Sequence, residues 1–208
     1  MQSANGDATP LTGLMSMKSK RIILTCEYFK REFDAVLESE GIDELAIIDF
    51  PAYCDRPILI HEELSKILDD CIEKSTKIHI FGGYCLAAVQ KQFTKDSNCT
   101  FHIMDQCHNH FADCNIINKY IRDGAHLMTP GSVMFWKDKI KKWGFDKDTA
   151  RDFFRESVTR LVLLDTEVGT GSLEHLRDFA DFVDRPYEVV SVGLDCLRSN
   201  LKDNIQGL

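Results

Sequence analysis

Residues 77–93 read KIHIFGGYCLAAVQKQF: a run of β-branched and aromatic residues, a pair of glycines, and apolar residues at helical spacing. Residues 77–81 predict a buried strand, and the glycine pair that follows predicts a tight turn. Leu86, Val89 and Phe93 then predict a helix, because residues three and four apart share one helical face. A strand that passes through a short turn into a helix is the repeating unit of a parallel α/β sheet.

The same alternation of strand and amphipathic helix continues on both sides of this unit. The predicted strands cover residues 21–25, 44–50, 77–81, 100–104, 125–128, 160–166 and 187–192. Helices are predicted near residues 28–40, 61–74, 86–93, 115–122, 132–143, 146–157 and 173–184, with a short terminal helix. The pattern predicts a three-layer, Rossmann-like α/β fold with a mostly parallel sheet. The length favours a single domain over residues 20–208, behind a flexible tail of small and polar residues at 1–19.

Composition and charge argue against several classes of function. The net charge is −8, and nucleic-acid binding needs a concentrated basic surface, so we expect no nucleic-acid partner. No apolar run approaches the ~18 residues of a membrane-spanning helix, and the N-terminus lacks the apolar stretch of a secretory signal. We therefore expect a cytoplasmic protein with no membrane partner. Its eight cysteines are then expected to be thiols, metal ligands or core residues rather than disulfides.

Three cysteines stand where a predicted strand ends. Cys26, Cys85 and Cys107 follow the first, third and fourth predicted strands. The carboxyl ends of parallel strands lie at one edge of a sheet, so these thiols could meet around one metal ion or one reacting atom. The alternative is that each cysteine packs as a small buried hydrophobe, as most isolated cysteines do.

The segment around the third of these cysteines offers further ligands. Residues 105–114 read DQCHNHFADC, and Cys107 and His110, three residues apart, would share a helical face and could bind one ion together. Asp105 could add an oxygen ligand or orient a neighbouring ligand. The alternative interpretation is an exposed polar turn.

The spacing of the cysteines favours a reactive centre over a structural one. Zinc ribbons and fingers need pairs of cysteines separated by only two residues, and the chain contains no such pair. A site with three cysteine ligands leaves one coordination position open for a substrate. We expect a metal ion here, zinc in preference to an iron–sulfur cluster.

Other residues on the same predicted edge could shape a substrate pocket. Gly83 allows the backbone to approach a bound group closely, and Thr129 and Gly131 belong to a strand-to-helix loop with a capping hydroxyl. Asp165 follows the most apolar strand, a position where a carboxylate is often ionic or near a metal. Each has a structural alternative, which is a simple turn for Gly83 and Asp165 and a helix start for Thr129 and Gly131.

The order of these segments resembles a family of bacterial and archaeal proteins known as domain of unknown function 1638 (DUF1638). The similarity extends from about residue 21 to residue 201. Its motifs are ILTC at 23–26, GGYC at 82–85, IMDQC at 103–107, LMTPG at 127–131 and LLDT at 163–166. The resemblance implies that the three cysteines bind a metal. It also suggests a context of corrinoid-dependent methyl transfer, with a protein partner from one-carbon or corrinoid metabolism.

The sequence departs from the family pattern in two places. Asp105 and Gln106 precede Cys107 where the family commonly has His-Asp-Cys, so a histidine ligand is lost unless Asp105, His108 or His110 replaces it. Residues 86–88 read LAA where glycine is usual, which narrows the room for a bulky anion. These departures mark a divergent member of the family.

Two hypotheses about function follow. The first is a metalloenzyme, for example a metal-dependent transferase, that acts on a small molecule by methyl or thiol transfer. The second is a non-catalytic accessory protein that holds a metal, a corrinoid or a small ligand, although the chain lacks the DxHxxG run with which many corrinoid proteins bind cobalt. A third interpretation keeps the cysteines as core residues of a domain that acts only through protein association.

Overall fold

The computed structural model describes residues 21–205 apart from 55, 75, 76, 94, 96 and 97. The predicted tail at 1–19 lies outside the described residues. Within the described part of the chain, no helix is both long enough and apolar enough to cross a membrane.

The first part of the chain builds a four-stranded parallel sheet. Its elements are β1 (Arg21–Cys26), α1 (Lys30–Glu40), β2 (Leu45–Phe50), α2 (Pro57–Lys74), β3 (Lys77–Gly82), α3 (Ala87–Phe93) and β4 (Cys99–Ile103). The strands lie in the order β2-β1-β3-β4, and each neighbouring pair is parallel. The central strands β1 and β3 are buried along nearly their whole length, which explains their uninterrupted apolar sequences.

The second part of the chain builds a three-stranded parallel sheet. Its elements are α4 (Cys114–Arg122), β5 (Ala125–Met128), α5 (Pro130–Met134), α6 (Trp136–Lys142), α7 (Lys147–Ser157), β6 (Arg160–Asp165), α8 (Ser172–Val183), β7 (Tyr187–Ser191) and α9 (Asp195–Asn204). The strand order is β5-β6-β7, again parallel. The four residues Leu161 to Leu164 of the central strand are all at most 1% exposed.

The α/β class and the parallel strands are confirmed, but the described strands form two sheets where the alternation predicted one. The reason is that hydrophobic periodicity shows where a strand begins and ends, and does not show which strand it pairs with. β5 pairs with β6 and so begins a second sheet. The single domain over 20–208 remains a prediction.

The last helix ties the two parts together. Leu197, Leu201 and Ile205 belong to the same apolar core as β1 and β3, although α9 follows the second sheet. The carboxylate of Glu40, at the end of α1, forms ion pairs with Arg198 and Lys202 of this helix, with nitrogen–oxygen distances of 2.8 Å in both. The chain therefore returns to the first sheet after completing the second.

A close contact at the start of α5 also brings the two parts together. The predicted helix 132–143 is divided into α5 and α6 at Phe135, and Thr129 caps the first of them by accepting a hydrogen bond from the Ser132 N–H. Gly131 lies so near the chain before α1 that a Cβ added to it would be 2.0 Å from the Tyr28 carbonyl oxygen. Only glycine fits this junction without movement of the backbone.

Candidate functional site

A cavity of about 340 Å³ lies between the carboxyl edge of the four-stranded sheet and β5, the edge strand of the three-stranded sheet, which lines it along its whole length. The first sheet and its following turns contribute residues such as Cys26, Phe50 and Gly83, and the second part contributes residues such as Met128 and Trp136. A volume of this size suits a small molecule. The wall is predominantly apolar, as is usual for such cavities.

Among the described residues, four cysteines line this cavity: Cys26, Cys54, Cys85 and Cys107. Each follows or ends a different strand of the four-stranded sheet, and in the order of the strands they are Cys54, Cys26, Cys85 and Cys107. All four are thiols. The structure therefore brings the three predicted cysteines to one cavity and adds a fourth.

Local backbone structure explains how two of these thiols come together. Cys85 lies in a 3-10 turn after β3, and Cys107 begins another 3-10 turn after β4. A Cβ added to Gly83 would be 2.9 Å from the backbone nitrogen of Cys107, so glycine at this position allows the two turns to touch. The Sγ atom of Cys85 is 3.8 Å from the Gly83 carbonyl oxygen.

Burial and mutual proximity disfavour ionisation of these thiols. Burial raises the pKa of the Cys26 thiol well above its usual value and raises that of Cys107 to about 12. The pKa of Cys85 is also raised, first by a hydrogen bond with the Cys54 thiol and then by burial. At neutral pH the three thiols are thus protonated unless a positive charge enters the cavity.

Cys54 is the residue that the sequence analysis missed. It lies four residues beyond the end of β2, as far as Cys107 lies beyond the end of β4, but in an irregular segment that begins at Pro51. The available signal was that β2 is the remaining strand of the same set and that a cysteine follows it before the next helix.

The family model described as "Protein of unknown function (DUF1638)" matches residues 51–201, which is most of the chain. The chain belongs to the DUF1638 family. The matched part includes Cys54, Cys85 and Cys107, and Cys26 precedes it. No curated protein and no solved structure matches the chain.

The thiols of this DUF1638 protein surround the cavity without meeting at one point. Within the described residues, no group of three histidine, cysteine, aspartate or glutamate side chains already has the spacing of a metal site. The donor type nevertheless suits a soft or borderline cation such as Zn²⁺. An ion would have to draw the turns that carry the thiols closer together.

The histidines near Cys107 lie in two different places. His110, predicted as a metal ligand, is 1% exposed, and its Nε2 lies 3.0 Å from the Gly82 carbonyl oxygen. It does not belong to the cavity lining among the described residues, whereas His108 does. Burial lowers the pKa of both imidazoles to about 4, so both are neutral at pH 7.

The four residues predicted to shape the substrate pocket are also separated. Gly83 lines the cavity, but Thr129, Gly131 and Asp165 lie outside its lining in the described structure. Thr129 caps α5, and Ser132 of that helix faces the cavity instead. The Asp165 carboxylate accepts a hydrogen bond at 3.0 Å from the Glu167 N–H, as expected for a simple turn.

Proposed function

We propose that this DUF1638 protein binds a metal ion through Cys26, Cys85 and Cys107 and acts on a small molecule in the adjoining cavity. The observation that carries the proposal is that thiols from three separate strand ends line one cavity. Isolated core cysteines would have no reason to gather at the same cavity.

A bound cation would reverse the electrostatics of the cavity. The pKa values of the three thiols are raised mainly by burial and by neighbouring thiols. A coordinated divalent cation deprotonates such ligands outright, and this release of protons makes metal affinity pH-dependent. Zinc fits the thiol donors best, and an iron–sulfur cluster is the second choice.

The shape of the cavity supports a small substrate. Its volume of about 340 Å³ is near the lower end of the usual range for ligand pockets. Apolar and aromatic side chains such as Phe29, Leu127 and Trp136 form much of the wall, so the bound molecule is expected to carry an apolar group. Bound zinc would lower the pKa of a thiol or water in an open coordination position, which suits thiol or methyl transfer.

Metal analysis of the anaerobically purified protein tests the proposal. We expect about one zinc per chain, while a brown chromophore would indicate an iron–sulfur cluster instead. Cys85→Ser should lose the metal, and the matched control Cys114→Ser should retain it, because Cys114 is exposed at the start of α4. A wild-type protein that neither contains nor takes up metal would contradict the proposal.

A comparison of binding and turnover would distinguish an enzyme from an accessory protein. In an accessory protein, loss of Cys85 abolishes capture of the ligand. In an enzyme, a Cys85→Ser variant could still bind the small molecule in the apolar part of the cavity but would not convert it. A protein partner in one-carbon or corrinoid metabolism remains a prediction.

A further inference from the structure

We infer that Cys54 is a fourth thiol ligand of the same metal centre and that it is the ligand which an incoming substrate thiol displaces. The inference rests on the proposed function, because it needs a metal held by the other three cysteines. It changes the expected resting state from three protein ligands to four. A zinc site with four protein ligands is closed, and one with three is open to a substrate.

The position of Cys54 is defined by contacts on both sides of it. It lies at the tip of a turn closed by the Arg56 N–H, which donates to the Tyr53 carbonyl at 2.8 Å. On the N-terminal side, the Ala52 N–H donates to the Glu27 carboxylate at 2.8 Å. On the C-terminal side, the Arg56 guanidinium donates to the Lys142 carbonyl at 3.0 Å. The turn is thereby held against both parts of the molecule.

The side chain of Cys54 lies among the other thiols. It lines the same cavity and forms a hydrogen bond with the Cys85 thiol. It is also near enough to Cys26 and Cys107 to raise the pKa of each. Cys54 thus lies near all three proposed ligands, and binding would require an ion to draw the four thiols together.

Cys54 differs from the other three thiols in its exposure to solvent. Cys26 ends a central strand and is 7% exposed, and its movement would disturb the sheet. Cys54 is exposed, whereas Cys85 and Cys107 are half-buried, so an incoming thiol and solvent reach Cys54 first. The thiol that leaves most readily is therefore Cys54.

The displacement is a ligand exchange without oxidation or reduction. The bond between the metal and the Cys54 sulfur breaks, and a bond between the metal and the sulfur of the incoming thiol forms. The proton of the incoming thiol passes to the departing Cys54 thiolate, so that charge and atoms balance. The substrate thiol is then held as a thiolate, which is the nucleophilic form.

Cobalt(II) binding to the metal-free protein tests whether Cys54 is a ligand. Sulfur-to-cobalt charge-transfer absorption reports the number of bound thiolates, so Cys54→Ser should bind one cobalt with roughly a quarter of that absorption lost. Cys114→Ser should match the wild-type spectrum. An unchanged spectrum in Cys54→Ser, with cobalt still bound, overturns the inference and leaves the proposed function intact. A wild-type protein that binds no cobalt overturns both.

A small thiol probe, ethanethiol, tests whether Cys54 is displaced. With cobalt bound, Cys54→Ser should bind ethanethiol at least about tenfold more tightly than the wild type, because no protein thiolate competes for the position. Added ethanethiol should restore the absorption that the substitution removed. Equal affinities in the two proteins would show that Cys54 does not occupy the position that the probe takes, and would overturn the inference.

Discussion

The carboxyl edge of the four-stranded sheet and the edge strand β5 of the three-stranded sheet line the same cavity with different chemistry. Each strand of the first sheet sends a cysteine to the cavity from its end or the segment after it. The described residues of the second part contribute mainly apolar and aromatic groups, among them Met128, Trp136 and Phe179. The difference suggests two roles. The first sheet supplies the reactive groups, and the second part supplies an apolar wall that excludes water and contacts an apolar group of the bound molecule.

A substitution where Gly131 of α5 meets Tyr28 is expected to give the largest effect, because this contact holds the two parts of the molecule together. Gly131→Ala would place a Cβ 2.0 Å from the Tyr28 carbonyl oxygen, and we expect a loss of about 3 kcal/mol in the free energy of unfolding. Urea denaturation measures it. As a control, Gly144→Ala has no atom within 4 Å of the new Cβ and a φ of +73°, so only backbone strain of about 1 kcal/mol applies. Equal losses in the two variants would show that the junction is not tightly packed.

A buried carboxyl group at the same junction should make the stability of the protein depend on pH. Glu32 of α1 is fully buried, its Oε1 accepts a hydrogen bond from the Thr166 hydroxyl at 3.2 Å, and burial raises its pKa from 4.5 to about 7. A raised pKa means that the folded state retains a proton that the unfolded state has lost. The protonated Glu32 therefore makes its full contribution to the free energy of unfolding below pH 4.5. This contribution, about 3 kcal/mol, is lost as the pH rises to about 7.

Glu32→Gln should remove this loss, and urea denaturation at pH 4.5 and at pH 8 measures it. Buried histidines such as His110, whose pKa is lowered to about 4, contribute in the opposite direction, because the stability they provide is lost as the pH falls below their unfolded pKa. Their contribution is common to both proteins, so the quantity to follow is the difference between wild type and variant. A difference that does not change with pH would contradict the assignment.

The contact between two thiol-bearing turns should affect the site more than the fold. Gly83→Ala places a Cβ 2.9 Å from the Cys107 backbone nitrogen and should separate Cys85 from Cys107. We expect metal affinity to fall by about tenfold, as for changes next to metal ligands; competition with a chelator measures it. Ala88→Ser, at an exposed position in α3, is the control. Unchanged affinity in Gly83→Ala would mean that this contact does not position the ligands.

A substitution in the apolar wall should give the smallest effect, and it should change only the binding of the small molecule. Ile121 of α4 lines the cavity and is 40% exposed. With cobalt bound, Ile121→Ala should weaken ethanethiol binding by about fivefold through loss of apolar contact, without changing metal affinity. Ile116→Ala is a matched control, because Ile116 lies on the same helix, is 43% exposed and is not part of the lining. Equal effects at the two positions would contradict the division between the sheets.

The sequence allowed most elements to be predicted to within a few residues, but less of the site. Cys26, Cys85 and Cys107 could be placed at one edge because parallel strands end on the same side. The position of His110 could not be predicted. Its ring lies against the Gly82 carbonyl oxygen, and the spacing of residues near His110 does not indicate a contact with a turn so far away in the sequence. Cys54 was missed for a related reason: it lies in an irregular segment that begins at Pro51, and nothing in the local sequence shows that this segment folds back over the cavity.

The sequence by itself determined the alternation of strands and helices, because this follows from local hydrophobic periodicity. It also placed cysteines near strand ends, and the common direction of parallel strands puts those ends on one side of a sheet. Only the tertiary structure decided that the strands form two sheets and that a cavity lies between them. It also decided that a fourth thiol joins the other three. Strand pairing and the close approach of Gly131 to Tyr28 depend on contacts between residues far apart in the chain, and such contacts are set by packing of the whole molecule.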